Sequence, residues 1–119
     1  MATGLENLKI YQMAEEAELE VFYLIKKYPK EERFRSVDQL RRFSASVTNN
    51  IAEAYNKKSF KDKIRILNDI VKCEAEETKR NLIKCAKMGF CEKDSIILSE
   101  KYTEILKATS GYIRFLKNL

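Results

Sequence analysis

Residues 36–55 read SVDQLRRFSASVTNNIAEAY, and the spacing within this stretch decides the fold. Val37, Leu40, Ser44, Val47, Ile51 and Ala54 recur at alternating steps of three and four, as on the inward face of a helix. Thr48, Asn49, Asn50 and Glu53 ride beside that face, where a core would take hydrocarbon. Asn is a poor helix former, so two in succession in mid-helix point to a demand that propensity alone opposes. Ser36 followed by Gln39 has the form of a capping box, and the sequence predicts a helix over about 36–57.

Working outward, Ile10, Ala14, Ala17, Val21, Leu24 and Tyr28 form a second stripe, predicting a helix over about 8–28 that Pro29 stops. YPKEER (28–33) is a polar turn. Ser59 and Asp62 offer a second, weaker capping signal for a helix over about 59–88, with Phe60, Ile64, Leu67, Val71, Thr78, Leu82 and Cys85 inward. Gly89 is its expected left-handed stop. A final helix over about 92–117 carries Leu98, Tyr102, Ile105, Thr109, Tyr112 and Leu116 as a heptad-like seam. Gly111 within that seam predicts close helix packing.

The chain has 119 residues with only three Gly and one Pro, so few turns interrupt it and long helices must join them. The expected architecture is all-α, an antiparallel up-down-up-down four-helix bundle forming one domain over 1–119. Ile66, Ile70, Ile83, Ile97, Leu106 and Ile113 fall outside the main stripes, and such surplus apolar surface predicts self-association.

Composition narrows the function classes. Lys and Arg total 23 against 18 Asp and Glu, for a net charge of +5. The surplus is local: residues 31–65 hold nine basic and five acidic side chains, while residues 1–30 hold four and five. Three cysteines, Cys73, Cys85 and Cys91, lack CxxC spacing and the chain has no His. That pattern points to a reduced, cytoplasmic setting and leaves no zinc set and no Cys–His nucleophile. No apolar run reaches membrane-spanning length, and MATGLENLK lacks the order of a signal peptide, so neither a membrane nor a secretory route is expected.

Lys57, Lys58, Lys61, Lys63 and Arg65 place five cations in nine residues around the junction of the second and third helices, a pattern able to grip phosphates. The bland alternative is a solvated bundle end. Aromatic interleaving is thin there, with only Tyr55 and Phe60 nearby, which gives base stacking slight support. Arg41 and Arg42 on the second helix extend the candidate surface, although Arg42 also has Asp38 one turn earlier as a pairing partner. Lys79, Arg80, Lys84 and Lys87 would extend it only if the helices align them. Asn50, Glu53 and Glu76 are read as a buried polar network that fixes helix register rather than as acid–base machinery. Glycine loops, GxSxG elbows and HExxH are absent. The six tyrosines are expected in core or interface with hydroxyls at the rim.

Several segments together resemble the small bundle proteins called 23S rRNA intervening-sequence proteins. The shared pattern runs through LKIYQMA (8–14), YPKEER (28–33), QLRR (39–42), SVTNNIAEA (46–54) and ILNDIVKCEAEE (66–77), with Glu76 matching a family glutamate. One departure is Ala54, where the family usually has Gly. The resemblance implies a four-helix bundle, often assembled as a homopentamer, in a family most of whose members have no established activity; no cofactor and no catalytic residue is expected. Related bundles serve retroelements as accessory factors that bind a reverse transcriptase and nucleic acid. The expectation is therefore a non-enzymatic oligomer that binds RNA, or DNA, through Lys57, Lys58, Lys61, Lys63, Arg65, Arg41 and Arg42. The alternative is a protein–protein adaptor for a partner such as a reverse transcriptase, making no direct nucleic-acid contact.

Overall fold

The computed structural model describes residues 4–119, so the first three positions of the expected 1–119 domain lie outside the described residues. Four helices account for nearly all of it: α1 (Lys9–Ile25), α2 (Ser36–Asn56), α3 (60–87) and α4 (Glu92–Lys117), with short 3-10 turns at Leu5–Asn7 and Lys30–Glu32. No strand occurs among the described residues. The molecule measures 46 × 25 × 22 Å. Its length is set by α4, whose 26 residues span about 39 Å.

The helices touch in the order α1, α2, α3, α4 and back to α1. Contacting residues run in opposite directions along the pairs. Ile25 shares a groove with Val37, and Glu18 shares one with Ser44. Along α2 and α3, Phe43 lies by Arg80 while Tyr55 lies by Lys63. Along α1 and α4, Tyr28 meets Ser95 and Glu20 meets Lys101.

Every position of the α1 and α2 stripes is buried, which confirms the period from which both helices were read. Their ends differ from the expected ones. α1 stops at Ile25, and two turn hydrogen bonds carry the chain from Lys27 to Tyr28 before Pro29. α2 has no side-chain cap, because the Ser36 hydroxyl donates to Glu32 Oε1 at 2.8 Å instead of capping its own helix. The weaker signal is the real cap: Ser59 Oγ accepts the Asp62 N–H at 3.1 Å.

α3 is not uniform. Phe60–Ile66 and Lys72–Lys87 are α-helical, and Leu67–Val71 between them forms a π-helical turn. A π turn inserts one residue into the helical register. Ile66 and Leu67 are therefore buried in succession, at 3% and 1% exposure. The inserted turn moves Ile66 from the expected outer surface into the core and leaves Phe60, expected inward, exposed. On α4 the inward residue is Ile113 rather than Tyr112, which is only half-buried. The surplus expected for self-association shrinks accordingly, since Ile66 and Ile113 belong to the core of a single chain.

Gly89 takes φ +86° as the left-handed stop of α3. Gly111 does not serve the expected helix contact. A Cβ built there meets only the Arg114 guanidinium, at 3.7 Å.

Candidate nucleic-acid interface

The junction of α2 and α3 is a three-residue link, 57–59, held from below by Lys63. Its ammonium donates to the Tyr55 carbonyl at 2.7 Å and the Ala54 carbonyl at 3.5 Å, and it lies 5.4 Å from the Tyr55 ring. These carbonyls end α2, where a cation adds a donor at the last turn and complements the helix dipole. Lys63, expected to face phosphates, is turned inward to a structural task.

The remaining cations of the cluster point to solvent with different degrees of freedom. Lys57 pairs with Glu53 at 3.3 Å and Arg65 meets Asp62 at 4.0 Å. Both pairs are exposed, and such pairs are weak enough for a phosphate to displace. Lys58 and Lys61 are exposed and have no ion pair among the described residues. The outward core of the cluster is thus Lys58 and Lys61, flanked by Lys57 and Arg65.

Arg41 and Arg42 do not join it. They lie sixteen and fifteen residues before Lys57, roughly 24 Å away along the helix axis. They also diverge from each other. Arg42 pairs with Asp38 at 3.6 Å, while Arg41 lines a groove with Phe22, Ile25, Lys26 and Val37. Lys84 and Arg80 lie at this same end, beside Gln39 and Phe43, and Arg80 is held by Glu77 at 2.7 Å. Within one chain these candidate residues therefore form two groups at opposite ends of the bundle.

The expected register-setting network is not joined. Asn50 Nδ2 donates to the Ser46 carbonyl at 2.8 Å and to its hydroxyl at 3.0 Å, and Glu53 turns to Lys57. No hydrogen bond connects Asn50, Glu53 and Glu76 among the described residues. Being i and i+4 neighbours, Asn50 and Ser46 satisfy one another along one helix and need no second helix.

A buried network does exist, at the other end. Tyr28 Oη and Ser95 Oγ share a hydrogen bond of 2.7 Å, and Ser95 Oγ also donates to the Phe90 carbonyl at 2.9 Å. The Cys85 thiol lies within reach of the Tyr28 and Ser36 hydroxyls. Burial holds both the Tyr28 phenol and the Cys85 thiol above their ordinary pKa values, so both are neutral at physiological pH. The Ser95 hydrogen bond pulls Tyr28 back part of the way. The cluster links the ends of α1 and α3 to the starts of α2 and α4. It escaped sequence reading because Tyr28 and Ser95 lie 67 positions apart, and each looks unremarkable on its own helix.

Tyr102 is the contrary case. It is fully buried on α4, with its hydroxyl inside rather than at the rim, and that hydroxyl has no hydrogen-bond partner among the described residues. Burial raises its pKa strongly, with smaller contributions from Glu18 and Glu20.

Cys73 is exposed, Cys85 buried and Cys91 half-buried, all as free thiols. No group of three His, Cys, Asp or Glu side chains suited to a metal ion occurs among the described residues. No helix among them is long and apolar enough to cross a membrane.

Residues 6–111 match the family model described as 23S rRNA-intervening sequence protein. No curated protein matches the chain.

Proposed function

The chain belongs to the 23S rRNA-intervening sequence protein family, and from that premise we propose that it is a non-enzymatic, oligomeric bundle that binds structured RNA at the α2–α3 junction. The observation that carries this reading is Lys58 on the link and Lys61 in the first turn of α3, both exposed and with no ion pair among the described residues. Lys57 and Arg65 sit beside them in weak exposed pairs that can exchange a carboxylate for a phosphate. Contacts of this kind are electrostatic and indifferent to sequence, so they favour backbone recognition over base readout.

Fluorescence anisotropy of a labelled RNA hairpin, titrated across salt concentrations, tests this. Affinity should fall linearly with salt on logarithmic axes, and the slope of the Lys58→Glu, Lys61→Glu double variant should be shallower by about 2. A hairpin that fails to bind at low salt overturns the proposal.

The adaptor reading keeps one specific support: Ile96, Ile97 and Phe115 of α4 remain exposed. A second protein surface, from another copy or a partner polymerase, would cover such residues. Solution mass measurement distinguishes these arrangements, and a strict monomer would remove the basis for an oligomer.

A further inference from the structure

Three of the five exposed aromatic side chains among the described residues fall within 22–34, at the corner where α1 turns into α2. Phe22 is 48% exposed, Tyr23 62% and Phe34 83%. Scattered exposed rings are ordinary. These are concentrated and interleaved with cations. Lys26 lies 4.2 Å from the Phe22 ring centre and 5.3 Å from that of Tyr23, and the Arg33 guanidinium lies 5.6 Å from the Phe34 ring.

Charge at this corner exceeds what the local acids can offset. Residues 26–42 contain seven Lys and Arg against three acids. Asp38 is already paired with Arg42, and Glu32 accepts a hydrogen bond from the Ser36 hydroxyl while keeping its charge. Glu31 is the third and is exposed. Lys27, Lys30 and Arg35 are exposed and carry no ion pair among the described residues.

We propose that this corner is a stacking platform for unpaired bases, with Phe34 as its central ring and Arg33, Arg35 and Lys30 holding the flanking phosphates. The inference rests on the nucleic-acid reading above and deepens it by naming a second ligand form, single-stranded nucleic acid, on a separate surface. Rings supply a face to any base, and cations set between them follow the backbone. The α2–α3 junction sets its cations beside one exposed ring, Phe60, and the half-buried Tyr55, fewer open faces than this corner, which suits a helical backbone instead. The groove beside Phe22 encloses only about 200 Å³. That is below the roughly 300 Å³ at which pockets begin to bury a ligand, so the corner offers faces rather than a cavity.

The buried network explains why this corner can hold a fixed shape. Tyr28, bonded to Ser95, and Ser36, beside the Cys85 thiol, are buried on either side of Phe34, so the ring is presented on a loop whose ends are tied to the core. A preorganised ring loses less freedom on binding.

The test uses fluorescein-labelled oligouridylate, which forms no duplex, alongside the RNA hairpin. Phe34→Ala should weaken oligouridylate binding about tenfold, and Phe34→Trp should restore it. Arg33→Ala and Arg35→Ala should each flatten the salt dependence, by about 0.7 in slope. Phe34 is too exposed to hold the fold together, so circular dichroism should be unchanged. The Lys58→Glu, Lys61→Glu variant should keep oligouridylate binding while losing the hairpin. Absence of oligouridylate binding, or indifference to Phe34→Ala, overturns the platform while leaving the hairpin reading standing. Polyglutamate bound as tightly and with the same dependence on Phe34 would mark an acidic-protein surface and overturn it too. So would a drop in oligomer mass in the Tyr23→Ala variant, because the rings would then be covered by a second copy. Loss of hairpin binding alone would instead remove the junction reading.

Discussion

The two ends of the bundle are both basic, yet their cations are engaged differently. At the α2–α3 junction one cation of five, Lys63, is committed to the carbonyls that end α2, and the exposed charge has no large open ring beside it beyond Phe60. At the α1–α2 corner the structural task falls to neutral groups, Tyr28, Ser95, Ser36 and Cys85, and the cations stay outside among Phe22, Tyr23 and Phe34. Where buried neutral hydroxyls hold a junction, charge is released for contact. Where a lysine holds it, that charge is lost to the ligand.

The largest effect should come from breaking the neutral end. Ser95→Ala removes the partner of the Tyr28 hydroxyl and a donor to the Phe90 carbonyl, and should cost about 2 to 3 kcal/mol in urea unfolding. A cost near zero would show that the corner is not held this way. Tyr28→Phe, which leaves Ser95 its bond to Phe90, should cost only about 1 kcal/mol.

Tyr102→Phe sharpens the contrast between a partnered and an orphaned hydroxyl. The unsatisfied group is a liability of about 1 kcal/mol or more, so its removal should be neutral or raise the melting temperature. A loss as large as that of Tyr28→Phe would mean that Tyr102 has a partner, such as a bound water.

Lys63→Met at the charged end should lower stability by about 0.5 to 1 kcal/mol while leaving the salt slope of hairpin binding unchanged. A slope that flattens by about 0.9, the share of one phosphate contact, would return Lys63 to the phosphate surface.

The smallest effect is in pH. The Tyr28 and Tyr102 phenols titrate above their unfolded value of about 10, so both favour the fold while neutral. That stability is fully present below about pH 10 and is lost only as pH rises from there toward the folded values. Melting temperature should be flat in this respect from neutral pH to about 9 and then decline, and the decline should soften in the Tyr28→Phe, Tyr102→Phe double variant.

Much of the fold was legible because burial periodicity is a local property. The stripes of α1 and α2 needed nothing beyond their own sequence. The third helix was legible in extent and in register from Leu67 onward, and misread only before it, at Phe60 and Ile66, because a π turn at Leu67–Val71 leaves no compositional signature of its own. The Ser36 capping box was a false signal for a related reason: a hydroxyl takes the nearest good acceptor, and Glu32 in the preceding turn was closer than the helix itself. Of the candidate surface, the cluster at Lys57 to Arg65 was legible as a charge run. Its division into a structural lysine and free ones was not, and the rings at Phe22, Tyr23 and Phe34 went unread because each looked like part of a stripe or a turn.

The sequence by itself determined that four amphipathic helices form, where most of their inward faces lie and which family they belong to, since these follow from spacing and motifs along one strand of chain. Only the tertiary structure decided which polar groups are satisfied, which cations are free and which basic residues share an end. Those outcomes depend on partners brought together from distant positions, as Tyr28 and Ser95 are, and a hydrogen bond or ion pair forms only where the packed helices place both atoms within reach.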